Sequence, residues 1–216
     1  MHIAHTTHAW HAFAMIVVLR SGAYAQLFHS AYQTKRVDMD IQKIHHVAYR
    51  CKDAKETVLW YKENLGMDFV LAIAEDRVPS TKANDPYMHV FIDAGHGNIL
   101  AFFELPNSPE MGFDANTPDW VQHIAFEVPS VQVLEQTKEK LQAKGIDVVG
   151  ITNHVLFKSI YFRDPNGHRV ELAAPTATPE MNRKLDEVKW EMLEEWSKTR
   201  RAPKHAAWLH EEEFQA

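Results

Sequence analysis

Apolar and polar positions follow the same order of spacings twice along the chain. From residue 41 onward, a short alternating run is followed by apolar residues at helical spacing and then by three further short runs. Alternation with a period of two indicates a strand, and apolar residues three or four apart indicate a helix. This order occurs at 41–110 and again at 118–175. We therefore predict an α+β fold built from two βαβββ modules.

Each predicted helix has a polar residue at its start and a glycine at its end. Asp53 precedes Glu56 by three residues, which is the spacing of a capping box, and Gly66 supplies the stop. Ser130 and Gly145 stand at the same places in the second module. The strands expected after the helices lie at about 68–73, 87–93 and 98–105, and at about 147–152, 159–163 and 168–173.

Two segments lie outside the modules. Residues 1–40 form a poorly specified extension, since their apolar run at 13–19 has no basic residue before it and is too short to span a membrane. After the second module, Thr178-Pro179 and apolar residues at helical spacing predict a helix within a C-terminal extension, 176–216. We expect that helix to pack against the modules or to form a dimer contact.

Composition and charge exclude several classes of partner. The formal net charge of the 216 residues is -6, so the chain has no broad basic surface for nucleic acid or for an anionic membrane. A small molecule is the partner we expect. Cys51 is the only cysteine, which excludes an internal disulfide and is typical of a reducing cytoplasm.

Two histidines occupy equivalent positions in the two modules. His46 and His123 lie on the first strand of each module, and Glu171 lies on the last strand of the second. Strand parity turns all three away from the apolar residues that face the helices. One histidine on a strand is more often structural, and we interpret His45 and His168 in that way. Equivalent positions in two copies favour metal ligands.

The repeat and these residues resemble the vicinal-oxygen-chelate superfamily, which includes glyoxalases, fosfomycin-resistance proteins, bleomycin-binding proteins and extradiol dioxygenases. The resemblance covers about 41–175 and implies that the modules form a cupped mixed sheet. It implies that His46, His123 and Glu171 are the metal ligands. Ala101 stands at the place of a possible fourth ligand, and Glu104 lies on the wrong face to replace it.

A longer motif resembles the signature of extradiol ring-cleaving dioxygenases. It comprises Thr152-Asn153-His154, the run 160–167 and then Glu171. Two histidines and one carboxylate with open positions are typical of non-haem iron(II) oxygenases. The resemblance therefore implies Fe²⁺, although Mn²⁺, Ni²⁺ or Zn²⁺ could occupy such a site. It implies dioxygen and a catechol-like diol as substrates, His154 as the acid-base catalyst and Tyr161 as a hydrogen-bond donor to the substrate.

One departure and two alternatives qualify this interpretation. Many ring-cleaving relatives have another active-site histidine where this chain has Asn98, with His96 and His89 nearby. A glyoxalase-like or fosfomycin-resistance-like metal-dependent lyase or transferase stays open, since fosfomycin-modifying relatives also use two histidines and a glutamate. A metal-free small-molecule binding protein of the same fold is the second alternative. We expect a cytoplasmic homo-oligomer, most simply a dimer.

Overall fold

The computed structural model describes residues 40–211, so the predicted extension at 1–40 lies outside the described residues except for its last position. The first module contains β1 (Val47–Cys51), α1 (Ala54–Leu65), β2 (Asp68–Arg77), β3 (Asn84–Asp93) and β4 (Ile99–Glu104). The second contains β5 (His123–Glu127), α2 (Val131–Ala143), β6 (Val149–Asn153), β7 (Phe157–Arg163) and β8 (Arg169–Pro175). Helix α3 (Pro179–Thr199) and a 3₁₀ helix (Lys204–His210) follow.

Both modules have the same sheet topology. The strand order is β1-β4-β3-β2 in one sheet and β5-β8-β7-β6 in the other. In each module the first and last strands pair in parallel, and the remaining pairs are antiparallel. The last strand therefore lies inside the sheet, between the first strand and the third. The prediction of an α+β fold with two βαβββ modules and a C-terminal helix is confirmed.

The helices begin and end where the sequence predicts. The Asp53 carboxylate accepts a hydrogen bond from the backbone N–H of Glu56 at 2.7 Å, and Gly66 takes a left-handed conformation with φ of 71°. Ser130 accepts from the N–H of Val133 in the same way. These local bonds satisfy backbone donors that have no partner inside the helix.

Strands β2 and β3 are longer than the sequence indicates. Each has ten residues, and their pairing extends to Arg77 opposite Asn84, whose side chains are hydrogen-bonded at 3.1 Å. Strand β2 is an edge strand, and every one of its residues is exposed. Hydrophobic alternation reports burial, so it cannot mark the end of a strand that lies in solvent.

The apolar core lies between the sheets and their helices. Tyr61, Ile92, Leu100 and Phe102 are fully buried in the first module. Four apolar residues are fully buried in the second module: Leu134, Leu141, Ile160 and Val170. Trp60, Leu65, Ile124 and Phe126 pack against both clusters, so the two modules share one interface. Burial in the first cluster raises the pKa of the Cys51 thiol to about 11.

A buried polar network also joins the modules. The Asn166 side chain is 1% exposed and accepts from the Lys52 backbone N–H at 2.8 Å. Its amide nitrogen donates to the Thr57 hydroxyl and to Asp164, each at 3.1 Å. The Tyr61 hydroxyl donates to the same Asp164 carboxylate at 3.2 Å. Each bond from Lys52, Thr57 or Tyr61 crosses from the first module to the last turn of the second.

Helix α3 extends beyond the second module. Thr178 caps it and accepts from the Met181 N–H at 3.2 Å, with Pro179 at the first helical position as predicted. Met181 is buried, whereas Trp190 and Leu193 are more than half exposed. No helix between residues 40 and 211 is long and apolar enough to cross a membrane. The expected role in packing or dimer contact stays a prediction.

The buried polar network around Asn166, which joins the modules, makes a testable contribution to stability. Replacing Asn166 with Ala leaves the Lys52 N–H and other buried partners without a bond, and such a loss costs about 1–3 kcal/mol per group. We expect N166A to lower the free energy of unfolding, measured by urea denaturation, by at least that amount. Asn116 is exposed, and N116A should change the free energy of unfolding by less than about 0.5 kcal/mol. Equal effects would contradict the assignment.

Candidate metal centre

The second sheet brings the predicted site residues onto its face away from the helices. Glu171 on β8 pairs with Ala125 on one side and with Tyr161 on the other. Val170 and Leu172, its neighbours along the strand, belong to the apolar core. Because side chains alternate along a strand, Glu171 and Tyr161 face away from that core. The parity predicted for these strands therefore matches the core.

Glu171 is a nearly buried carboxylate that neutral hydroxyls hold in position. It is 3% exposed. Its Oε1 accepts from Ser159 Oγ at 2.5 Å and from the Tyr161 hydroxyl at 3.1 Å. Neither hydroxyl carries a charge that could offset that of the carboxylate. An ionised group removed from water requires a cation close by.

His123 contacts the other oxygen of that carboxylate, Oε2. Its Nδ1 lies 3.0 Å from the carbonyl oxygen of Val121, and a carbonyl can only accept, so Nδ1 carries the proton. In the neutral imidazole Nε2 then carries a lone pair and acts as an acceptor. This atom lies 2.9 Å from Glu171 Oε2. Two acceptors at this distance repel each other unless a cation, either a proton or a metal ion, lies with them.

The donor set fits a divalent metal in type and in spacing. Imidazole nitrogen and carboxylate oxygen bind zinc or iron, and a ligand histidine commonly donates its other N–H to a backbone carbonyl, as His123 does. Ligands about 2.1 Å from one ion and at right angles to each other lie about 3 Å apart. The separation of 2.9 Å between His123 and Glu171 is close to this value.

His154 and Tyr161 extend the hydrogen bonds away from Glu171. His154 Nε2 lies 2.7 Å from the Tyr161 hydroxyl. That hydroxyl has one proton, which it donates to Glu171, so His154 Nε2 must be the donor to Tyr161. Burial, and next the negative charge of Glu171, raise the pKa of Tyr161. The phenol therefore stays protonated and remains a donor at neutral pH.

His46 lies on the other sheet, apart from this pair. It immediately precedes β1 and is exposed, with Nδ1 2.8 Å from Nδ1 of His45. Its ring contacts Phe91 and His89, with centroids 5.7 and 5.8 Å away. Within residues 40–211, no three side chains from His, Cys, Asp and Glu form a group that could hold a metal. One chain thus brings together two of the three predicted ligands.

His89 beside His46 has a larger role in the structure than the sequence indicates. It is 8% exposed and stacks on Phe103 with ring centroids 3.6 Å apart. Its Nε2 is buried without a hydrogen-bond partner. Burial, and next the His46 ring, lower its pKa, so the imidazole is neutral. Strand parity could have found it, since it faces the same side as Phe91, but a lone histidine on β3 has no counterpart in the repeat.

Other singled-out residues have structural roles. Glu104 Oε2 accepts from the backbone N–H of Ala54 at 2.7 Å at the start of α1, which agrees with its predicted orientation away from the site. Ala101 is fully buried, and the Asn98 amide donates to the carbonyl of Gly95 in the turn before β4. His168 Nε2 lies 2.6 Å from the carbonyl oxygen of Arg50, at the junction of the modules.

The sequence model of the glyoxalase/bleomycin resistance protein/dioxygenase superfamily matches residues 43–172, which is more than half of the chain. The chain belongs to this superfamily. The match begins before β1 and ends within β8, so it covers both modules and every residue of the candidate centre. Helix α3 lies outside it.

One curated relative is distantly similar to the chain. The protein named "Putative ring-cleaving dioxygenase MhqA" from Bacillus subtilis is 26% identical over 99 residues, which are 46% of this chain and 31% of that protein. The chain thus spans about a third of that relative's length.

Two solved structures are similar to the chain at low sequence identity. A glyoxalase family protein from Enterococcus faecalis is 24% identical, with a TM-score of 0.47 over 62% of this chain and 99% of that one. The fosfomycin resistance protein FosX from Listeria monocytogenes, in complex with Mn(II) and sulfate, is 19% identical, with a TM-score of 0.47 over 65% and 98%.

The centre can be tested by metal titration. Replacing Glu171 with Gln keeps its shape and removes the charge, so we expect the affinity for Mn²⁺, measured by calorimetry, to fall by more than about 100-fold. Ser159→Ala removes a supporting hydrogen bond and should cost about 10–100-fold. Glu127 is an exposed carboxylate on the neighbouring strand, and E127Q should bind Mn²⁺ normally. Native affinity in E171Q would exclude this centre.

Proposed function

We propose that this superfamily member is an Fe²⁺-dependent extradiol-type dioxygenase, which cleaves the ring of a catechol-like diol with dioxygen. The observation that carries the proposal is the hydrogen-bonded chain from His154 through Tyr161 to Glu171, next to His123. The ring-cleavage signature names His154, Tyr161 and Glu171. Their contacts join an acid-base group directly to a carboxylate suited to bind metal.

His123 and Glu171 would hold the ion, with His46 as the third ligand. Bound iron(II) would supply the Lewis acidity that favours loss of a proton from the diol and the electrons that activate dioxygen. Mn²⁺, Ni²⁺ or Zn²⁺ would suit the same ligands in type. The absence of a fourth protein ligand at Ala101 would leave positions for the substrates.

The chain's own residues would then orient the diol and move its proton. The Tyr161 hydroxyl is held as a protonated donor beside Glu171, where it can turn to donate to a substrate oxygen. His154 lies one hydrogen bond further away and can exchange a proton with that oxygen through Tyr161. Because the Glu171 carboxylate already accepts two bonds at Oε1, Tyr161 can leave it without exposing an unpaired buried oxygen.

We propose further that the active form is a homodimer in which His46 comes from a second copy. His46 is exposed on the first sheet, while His123 and Glu171 lie on the second. Edge strand β2 is also exposed along its whole length. Its large apolar residues are 43–51% exposed: Phe69, Val70, Leu71 and Ile73. An exposed apolar edge strand is normally shielded from solvent by another part of the assembly. A two-fold dimer would place each first sheet against the second sheet of the other copy.

The dioxygenase proposal predicts oxygen consumption. The wild-type protein, purified anaerobically and loaded with Fe²⁺, should consume one dioxygen per catechol in an oxygen electrode. Glu171→Ala should abolish both iron retention and activity. His154→Ala should retain iron and slow the chemistry by about 10²–10⁴-fold. His96 is an exposed histidine outside the centre with φ of 53°, which Asn tolerates, and H96N should remain active.

Other outcomes would redirect the assignment. Loss of iron from the His154 variant would place that residue among the ligands. Full iron content without oxygen uptake across a panel of catechols would contradict the dioxygenase. Activity with Mn²⁺ and without oxygen would instead support a lyase or transferase. A chain that binds no metal would instead support a small-molecule binding protein.

The dimer proposal predicts complementation between inactive variants. His46→Ala and Glu171→Ala chains with different affinity tags should each be inactive alone. A heterodimer purified through both tags should recover about half of the wild-type activity, because one of its two symmetric sites contains no substitution.

A reciprocal control separates the arrangements. A chain with both H46A and E171A, paired with wild type, places one substitution in each shared site and should be inactive. If the ligands came from one chain, this pair would keep half of the activity and the first pair none. Failure to recover any heterodimer would contradict the dimer.

A further inference from the structure

Arg169 is a partly buried cation on the face of the candidate metal centre. It begins β8, two residues before Glu171, and it pairs with His123 on β5. Alternation along the strand puts Arg169 and Glu171 on the same face, about 7 Å apart along the strand. Its register partner His123 lies on the neighbouring strand, about 5 Å away. The arginine is therefore part of the same surface as the centre.

The charge of Arg169 has no acidic partner. Its Cζ lies 4.3 Å from the centre of the Tyr161 ring, and its Nε is buried without a hydrogen-bond partner. Across the described residues 40–211, Arg169 forms no ion pair. Glu171 does not serve as one, since its oxygens engage Ser159, Tyr161 and His123. Contact with an aromatic ring attracts the charge but uses none of the five N–H donors.

The neighbouring arginine on the same sheet, Arg163, forms an ion pair. Arg163 on β7 is directly opposite Arg169 in the sheet. Its guanidinium donates to Asp119 at 3.0 Å and to the carbonyl oxygen of Gly167 at 2.8 Å. The two arginines are opposite each other in the sheet, and they differ in their partners. The donors of Arg169 remain for a ligand.

We propose that Arg169 determines substrate specificity by binding a carboxylate on the substrate. A guanidinium donates two parallel hydrogen bonds to a carboxylate, which adds both orientation and affinity. The inference rests on the proposed function and narrows its substrate class to diols with an acidic side chain, such as a dihydroxyphenyl carboxylic acid.

The test measures binding without turnover. Three ligands are titrated anaerobically into the metal-loaded protein by calorimetry: 3,4-dihydroxyphenylacetate, 4-methylcatechol, which lacks the carboxylate, and phenylacetate, which lacks the diol. Wild type should bind the dihydroxy acid at least about tenfold more tightly than 4-methylcatechol. Arg169→Gln should lose about 10–100-fold in affinity for both acids, the size expected for hydrogen bonds to a charged group, and little for 4-methylcatechol. Arg163→Gln is the matched control and should keep the preference.

Each outcome decides the proposal. Equal losses for the dihydroxy acid and 4-methylcatechol would mean that Arg169 only balances the charge of the centre, and would overturn it. Unchanged binding of both acids in R169Q would do the same, once circular dichroism shows the native fold. Oxygen uptake is measured separately with the same ligands. A chain that prefers the acids but consumes no oxygen would keep this inference and refute the dioxygenase.

Discussion

A carboxylate that has lost nearly all contact with water must be offset by a nearby cation, and Glu171 is such a group. It lies inside the second sheet because β8 is flanked by both β5 and β7. Ser159 and Tyr161 on β7 hold one of its oxygens, and His123 on β5 faces the other. The His123 Nδ1–H is directed to a backbone carbonyl, so His123 Nε2 and Glu171 Oε2 face each other at 2.9 Å. A proton or a bound metal ion between these two atoms would make the contact favourable.

The helix side of the sheets supports this arrangement. The apolar clusters on that side share Trp60, Leu65, Ile124 and Phe126, so β5 is packed against both modules. The polar network around Asp164 and Asn166 fixes the turn that leads into β8. These contacts locate the two strands that carry His123 and Glu171. The position of the centre is therefore determined by residues that never touch it.

The first sheet presents a different surface around His46. The His46 ring contacts His89 and Phe91, and His89 stacks on Phe103, so this cluster is aromatic. The second sheet has the Glu171 carboxylate, the Tyr161 donor and the Arg169 cation. An aromatic diol with an acidic group would use both kinds of surface. The two modules thus share one strand order and differ in the side chains that they present.

The sequence by itself determined the two modules, their caps and the parity of the strands. These features are local, since Asp53, Gly66 and Ser130 act within one turn of a helix, and alternation reports which face of a strand is buried. Tertiary structure alone decided that His123 and Glu171 meet at 2.9 Å while His46 lies apart on the other sheet. It also decided that Arg163 is paired and Arg169 is not. Distances between residues far apart in the chain depend on how the strands and modules pack, and spacing along a sequence contains no information about that packing.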